Sequence, residues 1–254
     1  MKKILTTLSL ATVIATTANA DFLRIEMGAG GWQQTPSGYA KRTDGDGALS
    51  LDGTYTSTEK ESNEFYIWAL LKHPIPIIPN IRAEYVGLQD EGDVKGKVNG
   101  QPLPPLIGGH ATVNADQYDL IPYYNLLDNT FWTTLDLGLD IRYLNADATV
   151  VENVTKQEVY SGSDSVVIPL VYARGRVDIP ATNLGAEANV KYITDGDSTV
   201  YDIQMKVDYL FDFSPAIHPG LEVGYRMLKY DLVDGSNVAN LEFNGLYAGV
   251  MLHF

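Results

Sequence analysis

The sequence predicts an all-β fold: a closed antiparallel up-and-down transmembrane β-barrel of about 10 strands, within a range of roughly 8 to 12. Three observations predict it. Period-2 alternation and β-favouring residues recur along the chain, whereas helical periodicity is scarce. Connections between strand-like segments alternate between long polar loops and short stiff turns, as in a barrel whose two ends face different compartments. The polar face of the strands carries equal numbers of acids and bases although the whole chain is strongly acidic, which an enclosed lumen demands and a solvated face does not.

The chain opens MKKILTTLSLATVIATTANAD, with Lys2 and Lys3 ahead of an uncharged, largely apolar run from Ile4 to Thr17 and then Ala18-Asn19-Ala20. This reads as a secretory signal peptide over residues 1–20, cleaved after Ala20, with the barrel over 21–254. The apolar run is shorter than the roughly 20 residues a spanning helix needs. No Cys stands at the cleavage point, so a lipoprotein is not expected. Removal of Lys2 and Lys3 leaves 16 of the 18 basic residues against 32 acidic ones, a net charge of −16. That acidity argues against nucleic acid as a partner, since phosphate neutralisation needs clustered Lys and Arg. The chain has no cysteine, which excludes disulfides and thiol chemistry. Beyond the leader no run of about 18 apolar residues occurs, so any crossing of a bilayer falls to strands.

Turn signals set against alternation place strands near 22–32, 63–73, 80–90, 112–124, 130–146, 165–178, 184–194, 199–211, 220–231 and 240–254. The connections Gln33 to Ser62, Glu91 to Ala111 and Asp147 to Asp164 read as long polar loops. The intervening ones, PIPIIP, NLLDN, IPATN and DFSPAIHPG, are short and stiff, and TDGDS and VDGSNVAN read as shorter loops of the long side. Proline cannot donate to a strand ladder, so HPIPIIPN (His73 to Asn80) suits the closing of a hairpin at a rim.

The faces follow from the alternation. Leu135, Leu137, Leu139 and Ile141 alternate with Asp136, Asp140 and Arg142; Tyr201, Ile203, Met205, Val207 and Tyr209 alternate with Asp202, Lys206 and Asp208. Arg24, Glu26, Arg82, Glu84, Arg174, Arg176, Glu187, Lys191, Glu222 and Arg226 complete a lumen network of eight acids and eight bases, which leaves the acidic excess to loops and strand ends. Trp68, Trp132, Tyr66, Tyr85, Tyr123, Tyr143, Tyr172, Tyr192, Tyr201, Tyr209 and Tyr225 are expected as aromatic girdles at the two membrane interfaces. The ending LYAGVMLHF puts Leu246, Ala248, Val250, Leu252 and the terminal Phe254 on one face. It looks like the signal by which barrel assembly machinery recognises its clients, so that machinery is an expected partner during biogenesis.

GAGGW (Gly28 to Trp32), KHPIPIIPNIR (Lys72 to Arg82), YYNLLDN (Tyr123 to Asn129) with LDLGLDIRYL following, IPLVYA (Ile168 to Ala173), EVGYR (Glu222 to Arg226) and NGLYAGVMLHF span nearly the whole mature chain. In these pieces the sequence resembles a family of Gram-negative outer-membrane β-barrel proteins marked by a Gly-Gly near the mature N-terminus, and more distantly the small OmpW-like barrels. The resemblance implies a barrel in the cell outer membrane. It implies no established activity, so it carries over no catalytic residue.

Catalytic, cofactor and metal sites are not expected. His73, His110, His218 and His253 show no ligand spacing, and neither a nucleophile elbow nor a P-loop occurs. TDGDGA (Thr43 to Ala48) and TDGDST (Thr194 to Thr199) lack the acid that would complete a calcium loop and read as turns. Two functions from different classes fit: a structural scaffold or narrow channel for small solutes, in contact with outer-membrane lipid and, through divalent cations on its acidic loops, with lipopolysaccharide; or a rim enzyme acting on lipid or peptide through His110 near Asp116.

Overall fold

The structure, a computed structural model, describes residues 23–43, 51–58, 60–98, 101–102, 108–213 and 217–254. The expected leader and most of TDGDGA lie outside these residues. The strands are β1 (Arg24–Thr43), β2 (Leu51–Ser57), β3 (Ser62–Lys72), β4 (Asn80–Val98), β5 (Gln101–Pro102), β6 (Gly109–Thr130), β7 (Thr133–Glu152), β8 (Glu158–Asp178), β9 (Leu184–Thr194), β10 (Thr199–Leu210), β11 (His218–Asp234) and β12 (Asn237–His253).

Every neighbouring pair is antiparallel, and β12 returns to β1 over Glu26↔His253 to Lys41↔Val238, so the sheet closes. β2 and β3 share one position in the wall. β3 pairs with the first half of β1 and of β4, and β2 pairs with their far ends. Ten wall positions result, with β5 a short addition to β4.

The strands run further than their apolar alternation. β4, β6, β7 and β8 have 19 to 22 residues, whereas about 9 to 11 suffice to cross a bilayer. Much of what reads as long loop in the sequence, Gln33 to Ser62, Glu91 to Ala111 and Asp147 to Asp164, is therefore continued hairpin. The cause is a second apolar cluster, Tyr55, Val94, Ala111 and Val150, which the extensions bury among themselves. Their outer face is polar, with Asp93, Lys95, Asn114 and Asp147 exposed, and that polarity hides the strand signal. The extension is lower at β9 and β10, which have only 11 and 12 residues.

One end of the barrel carries the turns after β3, β6, β8 and β10, together with Leu23 and Phe254. The other carries the extensions. The wall itself has apolar residues outward, among them Leu120, Leu139, Val171, Val207, Leu221 and Val250, while the charged residues point inward. Four of the aromatics expected in girdles, Tyr66, Trp68, Tyr123 and Tyr172, are instead buried inside. They fall on the inward parity of their strands, and bulky side chains are needed there to fill the lumen. Trp132, Tyr143, Tyr192, Tyr209 and Tyr225 face outward, and Tyr85 and Tyr201 are half-buried.

Candidate functional site: a lumen closed by ion pairs

Inward residues stack in storeys from the short-turn end to the extensions. Nearest the short turns, Arg176 of β8 donates to both oxygens of Asp208 on β10 (2.6 and 3.0 Å) and to Asp178 (2.9 Å). Arg174 bridges Asp136 and Glu187, at 2.7 Å each, and lies 3.9 Å from Glu26, which also pairs with Arg24. Arg82 bonds Glu84 at 2.5 Å and Glu187 at 3.4 Å.

The middle storey is the densest. Arg142 of β7 grips Asp119 of β6 with Nε and Nη2 (2.8 and 2.9 Å) and reaches Asp202 of β10 at 2.7 Å. Lys191 of β9 joins Glu84 of β4 (2.5 Å) to Asp119 (2.6 Å), and Arg226 of β11 makes a two-pronged pair with Asp202 (2.9 and 2.6 Å). Charges removed from water are tolerated only when partnered in this way. Among the described lumen acids Asp140 is the least partnered: it is fully buried, its carboxylate has no hydrogen bond, and its nearest ion-pair contact is Arg142 at 3.6 Å.

Beside it, Glu222 accepts hydrogen bonds from the Tyr66 hydroxyl (2.8 Å), Trp68 Nε1 (3.0 Å) and Lys206 (2.8 Å). Two cations lie against the Trp68 ring, Lys206 at 4.2 Å and Arg82 at 4.9 Å, and Arg226 lies 5.0 Å from the Trp32 ring. The Trp68 and Tyr66 rings have room because β1 carries no side chain beside them: a Cβ on Gly28 would stand 2.5 Å from Trp68 Nε1, and one on Gly30 2.7 Å from the Tyr66 hydroxyl. Gly28 and Gly30 of GAGGW thus give space to the aromatic storey.

Many of these contacts cross the lumen rather than run along one wall. Arg142 to Asp202, Lys191 to Glu84, Tyr66 to Glu222 and Tyr230 to Gln117 (2.7 Å) join strands that are not neighbours. Val86, Leu88, Val200, Leu228 and Phe243 cover the charges on the extension side. A void beside Trp68, Arg82 and Lys206 measures about 20 Å³, room for about one water. A larger cavity of about 710 Å³, lined in part by Arg24, Asp178, Asp212, His218 and His253, opens at the short-turn end and stops at Arg176.

All sixteen charges expected in the lumen point inward, fifteen of them buried and Arg24 half-buried at the mouth. Sequence reasoning missed Asp119, the common partner of Arg142 and Lys191, along with the buried Lys72 and Asp90. Asp119 was legible, since Gln117 and Asp119 alternate with Tyr118 and Leu120. Lys72 bonds Asp128 at 2.5 Å, and Asp90 accepts from Ser57 at 2.7 Å. With these three, ten buried acids meet eight buried bases and Arg24 among the described residues, so the described interior is close to neutral.

The pair imagined for a rim enzyme is not assembled. His110 bonds Glu91 at 3.3 Å, and Asp116 accepts from the Tyr85 hydroxyl at 2.7 Å; the two belong to the same strand six positions apart. In TDGDST, Asp195 Oδ1 accepts the backbone N–H groups of Ser198 (2.7 Å) and Asp197 (3.1 Å), so its carboxylate caps the β9–β10 turn. Those bonds hold the Asp195 carboxyl below the usual aspartate range. In the last strand, Leu246, Ala248 and Val250 face outward, Leu252 is half-buried and Phe254 is exposed.

No family model matches this sequence, and no curated protein matches it. Among solved structures, the chain is similar to the translocator domain of the autotransporter NalP from Neisseria meningitidis (TM-score 0.46, 11% identity, covering 100% of this chain and 95% of that one). It is also similar to the outer membrane protease OmpT from Escherichia coli (TM-score 0.49, 11% identity, 94% and 99%) and to Neisserial surface protein A (TM-score 0.33, 14% identity, 91% and 97%).

Proposed function

We propose that this chain is an outer-membrane β-barrel, exported by a cleaved leader, that serves as a sealed scaffold and holds an acidic hairpin extension above the bilayer. The observation that carries the reading is the inverted polarity of the wall. Large apolar side chains face outward all round the barrel while the charges are buried inside and paired across the lumen. In water such an outer face would be a liability; against lipid it is required, and closure of the sheet leaves no unpaired edge in the hydrocarbon.

Sealing follows from the chords. An aqueous pore belongs to barrels of about 16 strands or more, and here the section is filled by paired side chains. This favours the scaffold over a narrow channel. The exposed acids of the extension, among them Asp93, Asp147, Asp164, Asp195 and Asp197, are placed to bind lipopolysaccharide through divalent cations. The outward Leu246, Ala248 and Val250 with the terminal Phe254 support recognition by barrel assembly machinery.

The test is to purify the protein without its leader in detergent and compare unboiled with boiled samples on a denaturing gel. A heat-dependent band shift supports the closed membrane barrel. A water-soluble monomer with no shift overturns it.

A further inference from the structure

We infer that the two adjoining short turns, β3–β4 and β6–β7, form a rigid apolar anchor that seats in the headgroup boundary of the leaflet at the short-turn end. This rests on the membrane reading above and adds to it a lipid-binding site at one rim.

The β6–β7 connection is a two-residue turn: Thr130 pairs with Thr133, leaving Phe131 and Trp132 at the tip. Both adopt the left-handed conformation, with φ of 52° and 62°. Such turns are ordinarily Asn-Gly, because a left-handed residue crowds its own Cβ. Two large aromatic side chains are among the least suitable occupants. Packing inside the protein does not compensate them, since Phe131 is 85% exposed and Trp132 55%. The compensation therefore lies outside the chain.

The neighbouring turn is stiff for a different reason. His73 N–H donates to Asn80 Oδ1 (3.0 Å) and Ile75 N–H to His73 Nδ1 (3.1 Å), around Pro74, Pro76 and Pro79. The turn is fixed to β6 by the Tyr124 hydroxyl on the Ile77 carbonyl (3.0 Å) and by Asn80 on Asn125 (2.8 Å). What this frame presents is Ile75, Ile77 and Ile78, all exposed, Ile77 at 85%. HPIPIIPN and YYNLLDN are thus two halves of one structure.

The occupant is the lipid boundary. The exposed groups continue the outward apolar face of β7, where Leu137 and Leu139 stand a few residues from Trp132. Residues 73–79 and 129–133 contain no Asp, Glu, Lys or Arg to specify a protein partner. Turns at the opposite end are polar, as Asp195 to Ser198 shows. Tryptophan at the edge of an apolar band is what a membrane interface selects.

Trp132 permits a direct test, because Trp32 and Trp68 are buried in the lumen. The protein is refolded into phosphatidylcholine vesicles carrying bromine at either a shallow or a deep acyl position, with insertion scored by the heat-dependent band shift. The inference predicts quenching stronger with shallow than with deep bromine, and loss of that shallow component in Trp132→Phe. A Phe131→Asn/Trp132→Gly variant should keep the band shift, because its turn is the less strained, yet insert several-fold more slowly. If the wild type is inserted but Trp132 is unaffected by either lipid and open to aqueous acrylamide, the turn faces water and the inference is overturned, leaving a protein partner as the reading. Absence of any band shift would instead remove the membrane reading on which it stands.

Discussion

Replacing Arg142 by Met keeps the aliphatic stem and removes the charge at the centre of the lumen. The wild-type guanidinium makes four hydrogen bonds: two to Asp119, one to Asp202 and a longer one of 3.3 Å to the Tyr230 hydroxyl. Truncating one member of a buried charge pair costs about 3–5 kcal/mol, because the partners stay buried without their counter-charge. Here the lower end applies. Asp119 retains Lys191 at 2.6 Å and Asp202 retains Arg226 at 2.6 Å, so only Asp140 loses the cation at 3.6 Å. We expect a loss of about 3 kcal/mol, read as a lower urea midpoint for reversible unfolding in detergent, with the band shift completed at lower temperature. Arg142→Lys should recover part of the loss, since an ammonium restores the charge but not the planar fork that grips both oxygens of Asp119 while reaching Asp202. A midpoint for Arg142→Met within about 0.5 kcal/mol of wild type, the range of neutral surface changes, would refute the claim that the crossed ion pairs hold the interior.

Three other outcomes follow from particular contacts. Gly28→Val should displace the Trp68 ring, lower stability by about 1–3 kcal/mol through overpacking and shift the fluorescence of the lumen tryptophans; an unchanged spectrum would contradict the tight approach. Val150→Asp buries a charge in the extension's own cluster, so protease should nick the extension while the heat-shifted barrel core survives; simultaneous loss of both would show that the two storeys are not separable. Asp195→Ala should abolish hydrogen-exchange protection of the Ser198 amide. Because the folded-state pKa of Asp195 is depressed, its contribution is present above the ordinary aspartate pKa of about 3.9 and is lost as pH falls through the depressed value; protection that rose on acidification would contradict that sign.

The alternation of Leu135 to Ile141 with Asp136, Asp140 and Arg142 carries most of the architecture, because a period of two has only two faces and charge decides which is enclosed. The pairing partners are a different matter. That Arg142 meets Asp202 depends on the shear of a closed sheet, which no local pattern encodes. The extensions were hidden because Asp93, Lys95 and Asn114 make a strand that is wet outside look like loop. The inward Trp68 and Tyr66 read as girdle residues because composition cannot separate a lumen aromatic from an interfacial one; parity with Leu70 and Lys72 on the same strand, read together with Gly28 and Gly30 opposite, separates them. Phe131 and Trp132 defeat turn rules that expect small residues where φ is positive.

The most direct test of the central claim is the conductance of the folded protein in a planar bilayer at neutral pH. The crossed pairs and the apolar storey above them predict an electrically silent membrane after verified insertion. Regular discrete current steps from the wild-type protein would contradict the sealed lumen and make the barrel a channel.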